Sequence, residues 1–383
     1  MTDASAVQPF DETASDEALD DLRRRLVATR WPDDPADAGW SLGTDVDYLR
    51  DLVAYWADGF DWRAQEATLS RLPRFRSTVD GLSIHFVHAR AVAGSDRAVP
   101  LLLNHGWPDS FWRFTKVIDL LTDPAAHGGD PADAFDVVVP DMPGYGYSET
   151  PAGAALDSKA VAALWAALMS RLGYESFVTA GGDIGSGVSR YLALDFPSQV
   201  RAVHRTDAGV PAPDQDTSLL TAPERRWLDE SAHWTATEGA YNAMHRTKPQ
   251  TAAFGLTDSP VGLAAWIIEK LRSWSERGLD AYARDEILTL VTMYWLTGTI
   301  GSSMRMYNAN AAIPAAEQKR FVEVPSGFTV FPGEITHPPR EWMERVANTV
   351  RVTEAPRGGH FAAFEEPEVY VDELREFFRP FRG

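Results

Sequence analysis

Gly181-Gly182-Asp183-Ile184-Gly185-Ser186 stands between an apolar run that reads as a strand over 176–180 and a stretch, 188–196, that can wind as a helix. Aspartate occupies the apex of this turn, where a serine would normally be offered as nucleophile. A chain passing so abruptly from strand to helix needs small residues on both sides, because a Cβ at Gly181 or Gly185 would meet neighbouring backbone. An aspartate after a strand can also do no more than cap the following helix. The small-residue frame on both sides favours the nucleophile.

Outward from this turn, strands over 84–89, 99–104, 135–139 and 200–204 alternate with helices near 111–121 and 156–172. Such alternation predicts an α/β fold with a largely parallel sheet covered on both faces. Val161, Leu164, Trp165, Leu168 and Leu172 recur at helical spacing as a core-facing stripe. After 204 the alternation gives way to a long stretch rich in helix and tryptophan, read as an inserted lid; strands at 327–331 and 350–353 and a helix at 369–378 complete the sheet domain. Upstream, Ser15 caps a helix carrying Leu19, Leu22, Leu26 and Val27, which Trp31-Pro32 stops. A second helix over 45–56 and an aromatic, turn-rich stretch through Trp62 and Phe75 suggest a meander wrapped on the core. The expected divisions are 1–80, 81–207, 208–325 for the lid, and 326–383.

Of 383 residues, 44% are hydrophobic, ample for a large core. Thirty-six basic against 55 acidic residues leave a net charge of −19, which repels nucleic-acid phosphates and anionic membrane surfaces and directs attention to small neutral partners. No cysteine is present, so disulfides and thiolate metal sites are excluded. The first 30 residues lack a basic start followed by an apolar run, and no stretch of 18 apolar residues occurs, so a cytoplasmic protein without a membrane anchor is expected. A hydrophobic lid leaves a homodimer open.

Local motifs narrow the chemistry. His105-Gly106-Trp107-Pro108 follows an apolar strand, where backbone N–H groups can face a pocket and hold a developing oxyanion. The stretch from Asp141 to Ser148 has the glycines and proline of a tight surface turn and is read as loop structure. His360, in Arg357-Gly358-Gly359-His360-Phe361, comes just after the last strand at the sheet edge where α/β ligand sites gather, and is the candidate base. The histidines at 85, 88, 127, 204, 233, 245 and 337 read as surface or satisfied core residues, and no pair of them has metal-ligand spacing beside a carboxylate. A base needs an orienting carboxylate. Glu334, after the strand over 327–331, and Asp207, after the strand ending at His204, both satisfy the chain order nucleophile, acid, histidine.

Taken together, Arg30-Trp-Pro-Asp33, Asp61-Trp-Arg63, His105-Gly-Trp-Pro108, Gly181-Gly-Asp-Ile-Gly-Ser186, Asp258-Ser-Pro-Val-Gly262 and Arg357-Gly-Gly-His-Phe-Ala-Ala-Phe-Glu-Glu-Pro-Glu368 resemble an epoxide hydrolase of the α/β-hydrolase superfamily, in the microsomal-type branch with an extra N-terminal region. The resemblance spans nearly the whole chain. It implies a mostly parallel eight-stranded sheet flanked by helices, Asp183 as nucleophile, His360 as base and Glu334, in its Phe-Pro-x-Glu setting, as orienting acid. It also implies that Tyr241 and Tyr307 of the lid hold and protonate the epoxide oxygen; from the residues alone both would be read as core aromatics. The backbone N–H groups of Trp107 and Ile184 would hold the oxyanion, the substrate would be a small hydrophobic epoxide with water, and no cofactor or metal is implied. Position 184 is isoleucine where several members have tryptophan, and the membrane anchor of the mammalian members is not carried over.

The chemistry has its own logic. A carboxylate, ionised at neutral pH, attacks an epoxide carbon unaided, whereas the departing alkoxide is poor and needs acidic donors. A haloalkane dehalogenase would keep the aspartate and histidine but hold halide with tryptophan or amide N–H groups instead of phenols. A non-catalytic ligand-binding protein on the same fold would need only the pocket.

Overall fold

The computed structural model describes residues 6–35, 38–92 and 98–382. Among these residues nine strands share one sheet: β1 (Gln8–Pro9), β2 (Arg74–Val79), β3 (Leu82–Ala89), β4 (Val99–Asn104), β5 (Phe135–Pro140), β6 (Phe177–Gly181), β7 (Val200–Arg205), β8 (Val322–Val330) and β9 (Ala347–Glu354). Their spatial order is β1-β2-β3-β5-β4-β6-β7-β8-β9. The pairings β1 with β2, β2 with β3 and β3 with β5 are antiparallel, and the rest are parallel. Every residue of β6 is buried, as a central parallel strand covered on both faces requires. From β4 the chain crosses to β5 on one side and then to β6 on the other. The C-terminal ends of β4 and β6 therefore flank the point where winding reverses, the place where open α/β sheets form ligand crevices.

Several expectations need correction. The sheet has nine strands rather than eight, because the two-residue β1 adds an edge. The stretch expected to be turn-rich holds the helix Trp62–Leu69, capped by Asp61, and then β2. A tight hairpin with Asp80 at φ 47 and Gly81 at φ 84 joins β2 to β3, so the expected division at 80/81 cuts through paired strands. β8 begins at Val322, inside the range 208–325 assigned to the insertion. The helix expected over 111–121 is a short turn, Phe111–Phe114, followed by the helix Ile118–Thr122. Asp141 and Ser110 capture the amides of Phe111 and Trp112 there.

Between β7 and β8 lies the helical insertion, which includes Ala222–Glu238, Ala240–Thr247, Pro249–Asp258, Pro260–Trp274, Arg284–Thr297 and Ile300–Ala311. The N-terminal helices grip it. Trp56 donates its indole N–H to Thr292 at 2.9 Å, Thr44 donates to the Ala265 carbonyl at 2.7 Å, and Arg25 donates to the Asp258 carbonyl at 2.7 Å. The N-terminal segment thus belts the insertion to the sheet. No single helix among the described residues is long and apolar enough to cross a membrane.

Asp141 organises the loop after β5. Its fully buried carboxylate accepts from the Phe111 amide at 2.7 Å, the Tyr147 amide at 3.0 Å and His85 Nδ1 at 2.8 Å. Burial pushes this carboxyl up, but the hydrogen bond and charge of His85 outweigh it, so the acid lies below its usual range. The folded-state value being depressed, Asp141 contributes stability above the unfolded carboxyl pKa of about 4, and this is lost as pH falls through the folded value. Replacing Asp141 by Ala leaves two buried amides without an acceptor and is expected to cost about 3 kcal/mol. Urea unfolding measures this as a lower midpoint at unchanged slope; a loss below about 0.5 kcal/mol would refute the hub role.

Candidate active site

Asp183 links β6 to the helix Ile184–Asp195 and is held at φ 55, ψ −133, a conformation few non-glycine residues adopt. Two glycines make the turn sterically feasible. A Cβ on Gly185 would lie 2.1 Å from the Asn104 carbonyl oxygen, and one on Gly106 would lie 2.3 Å from Asp183 Oδ1. The bare Gly106 backbone lets the next amide approach, and Trp107 N–H donates to Asp183 Oδ1 at 2.8 Å. Ile184 opens its helix, so its amide is one of the first-turn donors that the helix itself does not use.

The rest of the 105–108 motif serves this amide. His105 does not face the cavity, contrary to its assignment as a pocket residue. It is fully buried, its Nε2 accepts from the Met142 amide at 3.0 Å, and its Nδ1 donates to the Gly106 carbonyl at 2.9 Å. Burial pushes its pKa down, so it is neutral and acts as a brace between β4 and the loop after β5. Pro108, reached through a cis peptide bond, has no N–H to offer.

Of the two carboxylates that the residues left open, Glu334 is the one that meets His360. Glu334 Oε1 lies 2.6 Å from His360 Nδ1 and also accepts the Ile335 amide at 2.7 Å. Burial lowers the imidazole pKa, yet the charge and hydrogen bond of Glu334 outweigh it and raise His360 above its ordinary value. Glu334 moves the opposite way: burial pushes it up, and the charge and hydrogen bond of His360 bring it below the usual range. His360 Nε2 points back to the nucleophile, 3.8 Å from Asp183 Oδ2. The rival acid is elsewhere engaged, since Asp207 Oδ1 accepts from the Gly209 amide at 2.8 Å.

Above Asp183, side chains of the insertion form an aromatic cage. Tyr241 stacks on Trp107 with ring centres 5.5 Å apart, while Tyr307 meets Trp107 edge-on at 6.1 Å and Tyr241 at 6.0 Å. Burial and the Asp183 charge push both phenols well up, so both keep their protons. The Tyr307 hydroxyl is buried without a hydrogen-bond partner of normal geometry among the described residues. A cavity of about 630 Å³ opens here, with Asp183, His360, Glu334, Tyr241, Val210 and Trp234 in its lining. No group of three or more histidine, aspartate or glutamate side chains converges to hold a metal ion among the described residues.

Two supporting residues escaped the sequence reading. His245, read there as a surface or satisfied core residue, is indeed core but packs edge-on against Trp107 at 4.7 Å and Tyr307 at 4.9 Å, accepts from the Trp266 indole at 3.2 Å, and has its pKa driven to about 3 by burial and by Lys270. Its place four residues after Tyr241 on one helix was the available signal. Arg113, buried, donates to Asp109 at 3.1 Å and to the His360 carbonyl, a link no local pattern announces.

Residues 7–114 match the family model described as epoxide hydrolase N terminus, and residues 99–237 match the model of the alpha/beta hydrolase fold. A Stigmatella aurantiaca (strain DW4/3-1) protein provisionally named an epoxide hydrolase is 42% identical over 98% of this chain and 86% of its own length. Epoxide hydrolase 1 of Sus scrofa is 35% identical over 97% of this chain and 88% of its own. Among solved structures, juvenile hormone epoxide hydrolase from the silkworm Bombyx mori superposes with a TM-score of 0.88 at 27% identity, covering 99% of this chain and 95% of that one. Aspergillus niger epoxide hydrolase superposes at 0.86 and 30% identity, covering 98% and 96%.

The His360–Glu334 contact has a direct solution test. In wild type the His360 ring titrates above about 6.5, and in Glu334→Gln it falls below, because burial and the Arg113 charge are then opposed by less. The raised value stabilises the fold below about pH 6.5, and this contribution fades as pH climbs through the folded-state pKa. NMR of the ring proton reads the midpoint; an unchanged midpoint in the variant would sink the coupling.

Proposed function

From the premise that the chain belongs to the epoxide hydrolase family, and so opens epoxides to vicinal diols, we propose a two-step route through an ester on Asp183. The carrying observation is the orientation of its carboxylate, with Oδ1 held by the Trp107 amide and Oδ2 turned toward His360. Oδ2 attacks a ring carbon; the C–O bond of the ring breaks, and its electron pair goes to an oxygen that Tyr241 and Tyr307 receive with a hydrogen bond and a proton. Their raised pKa values keep both phenols protonated for that duty.

In the second step His360 Nε2 takes a proton from water, and the water oxygen adds to the Asp183 carbonyl carbon. The negative charge then develops on Oδ1, where the Trp107 amide already points and the Ile184 amide joins it. Collapse breaks the ester bond, the imidazolium returns its proton to the departing oxygen and the diol leaves; the second proton of the water, left on the Asp183 carboxyl, goes back by way of solvent to the phenolate formed in the first step, and Glu334 stabilises the charged ring throughout. The cavity beside Asp183, with Val210, Trp234, Tyr241 and Ile335 in its lining, suits a small hydrophobic epoxide.

A dehalogenase reading has one observation in its favour, the Trp107 indole N–H, buried without a partner among the described residues. The tyrosines decide between the two. Replacing either with Phe is expected to slow epoxide opening by about 100-fold or more and to leave halide release from a haloalkane unchanged. The ester is tested by single turnover of styrene oxide in heavy-oxygen water with enzyme in excess. Label entering the Asp183 peptide and not the diol supports the route; label appearing first in the diol eliminates it.

A further inference from the structure

The loop that carries His360 is fastened by four hydrogen bonds that the reaction scheme does not use. His360 donates its own amide to the Trp274 carbonyl at 2.9 Å, at the end of an insertion helix. Gly358 donates its amide to Glu276 Oε2 at 2.5 Å. Glu276 in turn donates its amide to Glu365 Oε2 at 3.1 Å, and Phe361, the residue after His360, donates to Glu365 Oε1 at 3.0 Å. One carboxylate thus spans the histidine loop and the root of the insertion. The junction is too tight for anything but glycine at 359, where a Cβ would lie 2.7 Å from the Glu276 nitrogen and 2.9 Å from Glu365 Oε1.

We infer that Glu365 is a positioning residue for the base, locking the His360 loop to the 274–276 root of the insertion so that the imidazole meets the ester at the required angle. The inference rests on the ester route above. Glu365 is 8% exposed and, among the described residues, has no cation bonded to it, so its oxygens serve these two amides. Burial pushes it up to about 7 against the amide hydrogen bonds and the charges of His360 and Arg113. Across the contact it faces Glu276 and Tyr282 of the insertion, with Arg113 from the 111–114 turn and His360 on its own side. Its neighbour Glu366 is occupied by Arg357 at 2.5 Å.

The two chemical steps separate a positioning role from a merely structural one. Ester formation needs Asp183 and the tyrosines, while ester breakdown needs a correctly aimed His360. Glu365→Gln keeps shape but sets an NH2 group against one of the two amide donors. In single turnover of styrene oxide it is expected to form the Asp183 ester at a rate close to wild type and to break it down about ten-fold or more slowly, since small misplacements of a catalytic group carry penalties of that order or larger. The ester then accumulates and is found by mass spectrometry on the Asp183 peptide. Loss of the carboxylate charge beside the imidazole also moves the acid limb of the breakdown step to lower pH. Equal slowing of both steps with a lowered Tm, or no change in breakdown, overturns the inference. Glu276→Ala, at an exposed side chain that holds Gly358, decides the matter should Glu365→Gln not fold: slower breakdown with unchanged formation supports the clamp, and unchanged breakdown overturns it. Failure of wild type to form any ester would instead strike the reaction scheme itself.

Discussion

A carboxylate at φ 55 on the tip of β6 is the constraint around which the molecule is arranged. Backbone in that region costs an L residue about 1–3 kcal/mol and persists only where neighbours over-determine it. Here they do: the backbone of β4 occupies the space a side chain at 185 would need, and the loop after β4 comes so close that only glycine fits at 106. The same closeness delivers the Trp107 amide to Oδ1, so strain and oxyanion donor are two results of one packing event. His105, neutral and doubly bonded, fixes the loop that carries this amide.

Around the turn, a small group of buried charges is held in a chain. Glu334 shares one oxygen between His360 and the Ile335 amide, Arg113 ties the His360 carbonyl to Asp109, and burial pushes Asp109 up to about 6 against the Arg113 charge. Each group is expensive to bury alone, and pairing lowers that cost without removing it. The consequence for function is geometric. With its side chain held by Glu334 and its backbone by Arg113 and Trp274, the imidazole has little freedom except along the line to Asp183.

What the sequence disclosed follows from the range of each interaction. The turn at 183 is local, and its glycines carry a steric signature that survives without a fold. The alternation of apolar runs placed β4 to β7 for the same reason, since burial on both faces of a parallel sheet writes continuous apolar stretches. β2 was missed although Asp80-Gly81 has hairpin chemistry, because aromatic and arginine residues in 74–79 hide the alternation. Read as residues, Tyr241 and Tyr307 looked like core because they are core by burial; the resemblance singled them out, and the fold adds that two separate helices bring them toward Asp183. Choosing Glu334 over Asp207 rested on the family resemblance, because both follow strand ends and the residues alone do not say which meets His360. Chain order alone allowed both.

The insertion is more than a cover over the sheet. It supplies both phenols and Trp274, and the N-terminal helices that hold it do so through Thr292, Ala265 and Asp258, away from the nucleophile. Electrophilic donors therefore belong to one body and nucleophile and base to another. A reaction needing both within a few ångströms demands that the two bodies be registered accurately. The sheet domain alone cannot provide this, because Asp183 and His360 both stand on loops beyond strand ends. Registration comes from the contacts that cross the seam: Trp107 stacked on Tyr241 on one side of the carboxylate, and on the other the His360 loop bonded to the root of the helix that ends at Trp274.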